Sequence, residues 1–289
     1  MLSSRAAVCL CLGLAAGTAW AQAPKRAAAV QKKLTTRDGV ELAVTYMPGN
    51  KGKKTVPVVL LHGYKGSHND WAGLARYLHA LGHAVVAPDL RGHGVSTKTS
   101  AGATLSPSNV NFQAMATHDM EAIKEFLLEK NNEEELNLEK LCVVGAEMGA
   151  DVAAAYAALD WSESAGKQGQ DVKALVLISP KYVFRNLRIS DALRSEAVGK
   201  ELSVLIMVGK ENATALAEAA RVRGLFAPGH PEPARKEDRD LFFVRLETHL
   251  QGAELAAEKK LNGEPLIAEF IDVRLVNRSF PWKARQAAK

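Results

Sequence analysis

The residue best placed to do chemistry in this chain is Glu147, at the centre of Gly145-Ala146-Glu147-Met148-Gly149. Before it runs Leu141-Cys142-Val143-Val144, short, apolar and β-prone; after it, Ala150 to Leu159 is alanine-rich and reads as a helix. Strand, tight turn and helix in that order lift the central side chain to the amino end of the helix, and the glycines allow the sharp turn. A carboxylate held there can attack an electrophile or take a proton. It can also accept hydrogen bonds from nearby amides and so fill its own site.

Three other segments accompany the turn. Val58-Val59-Leu60-Leu61 is a buried-strand pattern running into His62-Gly63-Tyr64. Val85-Val86-Ala87-Pro88 runs into Asp89-Leu90-Arg91-Gly92-His93-Gly94-Val95-Ser96, and Val204-Leu205-Ile206-Met207-Val208 ends on Gly209. Taken in order, the four segments resemble the α/β-hydrolase family across roughly residues 30 to 275. The resemblance implies the α/β-hydrolase fold: a mostly parallel eight-stranded sheet with helices on both faces and ligands at the carboxyl ends of the strands. Only the stretch 180–202 separates the sixth and seventh strands, where a lid is often inserted, so the lid should be minimal. The site should then be open unless the loop 98–110 folds over it.

The same resemblance assigns roles. Gly145 and Gly149 match the glycines of the G-x-S-x-G nucleophile elbow, with Glu147 where the serine stands. The backbone N–H groups of Tyr64 and Met148 match the oxyanion donors. Asn212 falls at the acid position, with Glu211 one residue early, and the base position falls on Gln251 or, after a two-residue slip, on His249. Relatives with a carboxylate at the elbow, the haloalkane dehalogenases and epoxide hydrolases, use aspartate and a Trp or Tyr pair. Tyr64 and Trp71 are available, but nothing in the sequence places them. Glutamate is one methylene longer, which moves its oxygens by about 1.5 Å, a costly error for in-line attack.

Two readings are open. In the first, the catalytic triad is degenerate and the protein is a non-catalytic hydrolase-like binder of a small ligand or a protein partner. Glu147 then accepts bonds from its own oxyanion donors, with Lys65 or Lys210 as neighbouring cations. In the second, the chain is an active hydrolase of ester, epoxide or halide substrates that uses Glu147 as an unconventional nucleophile or base.

The elements that must position these residues are visible as periodicity. Val30 to Thr35 and Val40 to Tyr46 flank Arg37-Asp38-Gly39, a hairpin signal. Strands over Val56 to Leu61, Ala84 to Ala87, Ala174 to Ile178 and Phe242 to Leu246 alternate with helices near Trp71 to Leu81 and Phe112 to Lys130. In the latter helix Met115, Met120, Ile123 and Leu127 share a face. Ser96 reads as the cap of the segment after it.

Composition bounds the rest. A chain of 289 residues, 47% hydrophobic and without repeats or linkers, suits one core. Met1-Leu2-Ser3-Ser4-Arg5, an apolar run to Ala16 and Ala19-Trp20-Ala21 form a secretory signal pattern, so residues 1–21 read as a leader and 22–289 as the exported domain. With the leader cut, no membrane span is expected. Cys9 and Cys11 would leave with it, and the mature chain would keep the single thiol of Cys142. The formal charge of +5 is modest, and basic residues lack the aromatic interleaving of a nucleic-acid surface. Arg274, Arg278, Lys283, Arg285 and Lys289 read as a solvated tail. The eight histidines show no metal-ligand spacing, and no cofactor motif is present.

Overall fold

The computed structural model describes residues 27–162, 169–193 and 196–285. The leader at 1–21, with Cys9 and Cys11, lies outside the described residues.

Strand β1 (Val30–Thr35) pairs antiparallel with β2 (Glu41–Met47) around Gly39, whose φ of +80° explains the Asp-Gly turn. Next come β3 (Pro57–Leu61), α1 (Ala72–Ala80) and β4 (Ala84–Pro88), then α2 (Met120–Asn132), β5 (Leu141–Ala146) and α3 (Met148–Asp160). After them come β6 (Val172–Ile178), the two-residue strands β7 (Val183–Phe184) and β8 (Leu187–Arg188), α4 (Ile189–Ala192) and α5 (Glu196–Lys200). The chain continues through β9 (Ser203–Gly209), α6 (Ala213–Phe226), β10 (Leu241–Leu246), α7 (Gly252–Ala257) and α8 (Gly263–Ile271). Eight strands form one sheet in the order β1-β2-β4-β3-β5-β6-β9-β10, antiparallel at β1-β2 and β2-β4 and parallel elsewhere.

Period-two alternation divides the strand residues between two cores. Val59, Leu61, Val143, Leu175, Leu177, Val204 and Ile206 face the side covered by α2, α3 and α6. Val58, Leu60, Cys142, Val144, Val176, Leu205 and Met207 face the side covered by α1, α7 and α8. The central strands β3, β4, β5, β6 and β9 are apolar on both faces because helices cover both faces, whereas β1 is exposed and β2 alternates. Met115, Met120, Ile123 and Leu127 are all buried, as their shared face requires. Met115 precedes α2 in a π-helical turn, Met115–Asp119.

Two polar features depart from the sequence expectations, Ser96 and part of the basic tail, and the loop 98–110 leaves the site open. Ser96 does not cap the segment after it: its Oγ accepts from the N–H of Ala43 at 2.8 Å and so ties the loop after β4 to β2. The loop 98–110 returns to the β1–β2 corner, through Ser100 N–H to Gly39 O at 2.7 Å, and none of its residues lines the cavities beside Glu147. In the basic tail Arg278 and Lys283 are exposed as expected and Lys289 lies outside the described residues, but the other two arginines are not solvated. Arg274 is 4% exposed and bonds Ser203 Oγ at 2.9 Å, and Arg285 pairs with Glu139 and Asp171. Asn131 and Asn137 hold the carbonyls of Lys283 and Phe280 at 2.9 and 2.8 Å. These partners lie far away in sequence, which is why a count of basic residues does not reveal them.

Arg91 fastens the loop after β4. Its guanidinium bonds Asp119 at 2.8 Å and Asp38 at 2.6 and 3.0 Å, and its own N–H donates to Asp119 at 3.0 Å. Burial pushes the Asp119 carboxyl up to about 6 despite this cation, whereas the bond from Arg91 draws the more exposed Asp38 down to about 2.

Candidate functional site

The turn between β5 and α3 places Glu147 where the carboxyl ends of β3, β5 and β6 converge. Its φ of +48° and ψ of −112° are strained for a residue with a side chain, a cost of about 1–3 kcal/mol. The strain is held by Glu147 N–H to Ile178 O at 2.9 Å and by Ala150 N–H to Glu147 O at 3.0 Å. The flanking glycines are needed for close approach. A Cβ on Gly149 would lie 2.2 Å from Leu61 O, and one on Gly145 would lie 2.2 Å from Gly149 O. Helix α3 therefore starts hard against the end of β3.

The carboxylate of Glu147 leans over Gly63, where an added Cβ would sit 2.9 Å from its Oε2, and Gly252 packs on its other side. Among the described residues it forms no hydrogen bond. The expected bonds from Tyr64 N–H and Met148 N–H are therefore not made, and these two amides likewise have no acceptor among the described residues. Neither expected cation forms an ion pair with Glu147, although Lys65 borders a cavity with it. Lys65 stands over the Tyr64 ring at 5.7 Å from its centroid, and Lys210 pairs with Glu247. The lysine on Glu147's other, smaller cavity is Lys181.

His62 shapes the loop after β3. Leu90 N–H donates to its Nε2 at 3.0 Å, so Nδ1 carries the proton and donates to Gly63 O at 2.7 Å. Burial draws its pKa down to about 4, which keeps the ring neutral in this role. Tyr64 then packs with Phe112, Phe184 and His93, at centroid distances of 6.1, 5.5 and 5.8 Å, and Arg185 lies over its ring. The β7–β8 hairpin, which carries Phe184, is the small cap on this side. Trp71 is 1% exposed in the core beneath α1 and is no part of the site.

Asn212 and the two base candidates are brought near Glu147 by different amounts. Asn212 borders the same pocket, but its amide oxygen accepts from Ala215 N–H at 3.0 Å and caps α6. Gln251 is fixed by three bonds. Its Nε2 donates to Gly209 O at 2.9 Å and His249 O at 3.2 Å, and its Oε1 accepts from Ser179 Oγ at 2.7 Å. His249 points outward, with 80% of its side chain exposed and Nε2 3.0 Å from Glu211 Oε2. It lies on the rim of the larger cavity, paired with the carboxylate one residue before Asn212.

Glu147 and Gln251 together form the wall between two open cavities. One, of about 670 Å³, is bordered by Gly63, Tyr64, Lys65, Asp70, His249 and Glu254. The other, of about 260 Å³, is bordered by Ser179, Lys181, Asn212, Thr214 and Glu218.

Sequence reasoning missed three groups here. Ser179, at φ +50°, accepts from Gly252 N–H at 2.9 Å while donating to Gln251. Glu218 accepts from Tyr182 N–H at 2.7 Å, which ties α6 to the segment after β6. Asp151, one turn after Glu147, is 1% exposed with no hydrogen bond to either oxygen. Burial drives its carboxyl well above the usual range; Lys181 opposes that shift and Glu218 adds to it. Asp151 had a signal, being a carboxyl in the first turn of an alanine-rich helix; the other two are polar residues in ordinary contexts. No cluster of histidine, cysteine, aspartate and glutamate fit for a metal occurs among the described residues, and no described helix is long and apolar enough to cross a membrane.

Comparison with known proteins agrees with this architecture. Residues 56–197 match the model of a family described as alpha/beta hydrolase fold. An esterase from Pyrococcus furiosus superposes with a TM-score of 0.61 at 17% identity, over 86% of this chain and 91% of its own. Dienelactone hydrolase from Anabaena variabilis gives 0.60 at 15% identity, over 86% and 98%. An esterase from Exiguobacterium antarcticum gives 0.56 at 14%, over 84% and 100%. No curated protein matches the chain. The protein has the α/β-hydrolase fold.

Proposed function

We propose that this α/β-hydrolase fold carries a ligand-binding cleft in place of a hydrolytic triad, with Glu147 standing at the position of the elbow serine. The observation that carries the reading is the state of Gln251. It is one of the two residues that the resemblance puts at the base position, and both ends of its amide are committed, to Gly209 O and to Ser179 Oγ. An amide cannot take a proton from a nucleophile at neutral pH, and this one has no freedom to turn. Asn212 supports the same reading, because its oxygen caps α6 and orients no imidazole. The histidine nearest in sequence to Gln251 is exposed and bonded to Glu211.

Purified protein and Glu147→Gln, assayed on p-nitrophenyl esters and small epoxides, should both lack turnover above the buffer rate. Turnover in the parent that disappears in Glu147→Gln would overturn the proposal and make Glu147 a nucleophile or base. We also infer that residues 1–21 are removed during export and that the protein works outside the cytoplasm. The amino-terminal sequence of protein recovered from its host should begin at Gln22, and an intact Met1 would refute this.

A further inference from the structure

The end of the sheet opposite Glu147 gathers positive charge around Thr55, a fully buried residue just before β3. Its N–H donates to Gly52 O at 2.8 Å, its Oγ1 accepts from Lys51 N–H at 2.9 Å and its carbonyl accepts from Asn137 N–H at 2.9 Å. The turns Gly52–Lys54 and Leu138–Lys140 are thereby fixed side by side. The parallel register of β3 and β5, with Val58 beside Cys142, continues backward to set Lys140 level with Val56, two residues from Lys54. Lys51 reaches the turn before β4, where its Cε lies 2.8 Å from the place a Cβ on Gly82 would take.

Lys51, Lys54 and Lys140 form no ion pair among the described residues, although Lys140 is only 8% exposed. Lys53 differs from them: it pairs with Glu134 at 2.8 Å and lies over the Trp282 ring. Glu139, the acid next to Lys140 in sequence, is taken by Arg285 and Lys283. Burial draws the Lys140 ammonium below the ordinary lysine range, and Lys51 and then Lys54 add to that shift with no carboxylate opposing it. His83, at the start of β4, is buried with both ring nitrogens unbonded, and it too feels Lys51 and no carboxylate. A buried stem with its head in water accounts for one such lysine, but not for three that converge without an acid. The cluster favours an anion, and one of more than single charge. A phosphate group brings nearly two negative charges and three acceptor oxygens, enough to give each ammonium its own partner.

We propose that Lys51, Lys54 and Lys140 bind a phosphate group, carried by a soluble phosphomonoester or by a lipid headgroup, at the amino ends of β3, β4 and β5. The site is separate from the cleft at the carboxyl ends of the strands and stands whether or not that cleft is catalytic.

The test is lysine footprinting: brief acetylation of the full chain, with mass spectrometry of each lysine. It is run in sodium phosphate, in sodium chloride of equal ionic strength, and in chloride with vesicles of phosphatidylcholine that contain or lack phosphatidic acid. Phosphate at about ten times its Kd should slow acetylation of Lys51, Lys54 and Lys140 about tenfold, while Lys65, Lys181 and Lys210 at the other end of the sheet react unchanged. Protection by phosphate identifies a soluble ligand, and protection only by vesicles with phosphatidic acid identifies a headgroup; either supports the proposal. Lys140→Met keeps the buried stem without the charge and should weaken protection of Lys51 and Lys54 about tenfold or more, as expected for loss of a charged hydrogen bond. Lys51→Gln/Lys54→Gln changes two exposed residues, so its fold is kept, and it should remove the protection of Lys140. Equal acetylation of the three lysines in all four conditions would overturn the proposal, as would an equal fall at every lysine of the chain or variants protected like the parent.

Discussion

Replacing Arg91 with methionine isolates the contribution of one buried cation. The side chain is 5% exposed and serves two carboxylates in different surroundings: Asp119, fully buried, and Asp38, 37% exposed. Asp38 can be rehydrated, so its pair is worth no more than about 1 kcal/mol. Asp119 cannot, and stranding a buried charge costs about 3–5 kcal/mol, a fall of roughly 10 °C or more in Tm for a domain near this size. The pH dependence has a definite sign. Asp119 already titrates near 6 in the folded protein against 3.8 unfolded, and removal of Arg91 raises the folded value further. A carboxyl raised on folding adds stability below its unfolded pKa and loses that contribution as pH rises through its folded pKa. The Arg91→Met deficit should therefore be largest at pH 8 and shrink toward pH 5. Arg91→Met/Asp119→Asn should recover most of the loss, because asparagine keeps an acceptor for the backbone N–H of residue 91 without the charge. Urea melts of the three proteins at pH 5 and pH 8 measure this. A deficit under 1 kcal/mol, or one equal at both pH values, would refute the argument.

Three further outcomes can be checked independently. Gly149→Ala drives a methyl into the carbonyls of Leu61 and His62 and should yield insoluble protein, whereas Gly63→Ala meets only the movable end of Glu147 and should stay folded; soluble expression separates them. His83 is buried with neither ring nitrogen bonded, and burial lowers its pKa from 6.5 to about 4, so it costs stability increasingly as pH falls from 6.5 toward 4. His83→Leu should stabilise by about 1–3 kcal/mol, more at pH 5 than at pH 7.5, in thermal melts at both values. Cys142 is fully buried and its thiol is pushed well up by that burial, so it should resist a thiol reagent in the native protein and react once urea unfolds it.

The strands and helices were legible because their signals are local. Alternating residues such as Val58 and Val59, or the shared face of Met120, Ile123 and Leu127, announce themselves within a few positions. The sharp turn at Glu147 was equally local, written by two glycines whose places only a backbone approach explains. The chemistry around it was not. Gln251 is held by Ser179, 72 residues earlier, and Arg285 is paired with Glu139, 146 residues earlier; no window of sequence contains either pair. Asn212 shows a subtler failure. As the residue before an alanine-rich segment it had a cap's signature, but reading it by its place after β9 directed attention to the acid role instead.

The hydroxyl of Ser179 has a consequence for anyone altering this cleft one position at a time. Because it donates to Gln251 Oε1 and accepts from Gly252 N–H, it makes the identity of residue 251 depend on residues in another strand's exit loop. A lone Gln251→His would leave that hydroxyl and Gly209 O without their amide partner and would gain nothing while Glu147 and Asn212 stand as they are. A single-substitution scan would therefore score position 251 as intolerant. Its dependence on its neighbours would emerge only in combinatorial libraries that vary 147, 179, 212 and 251 together.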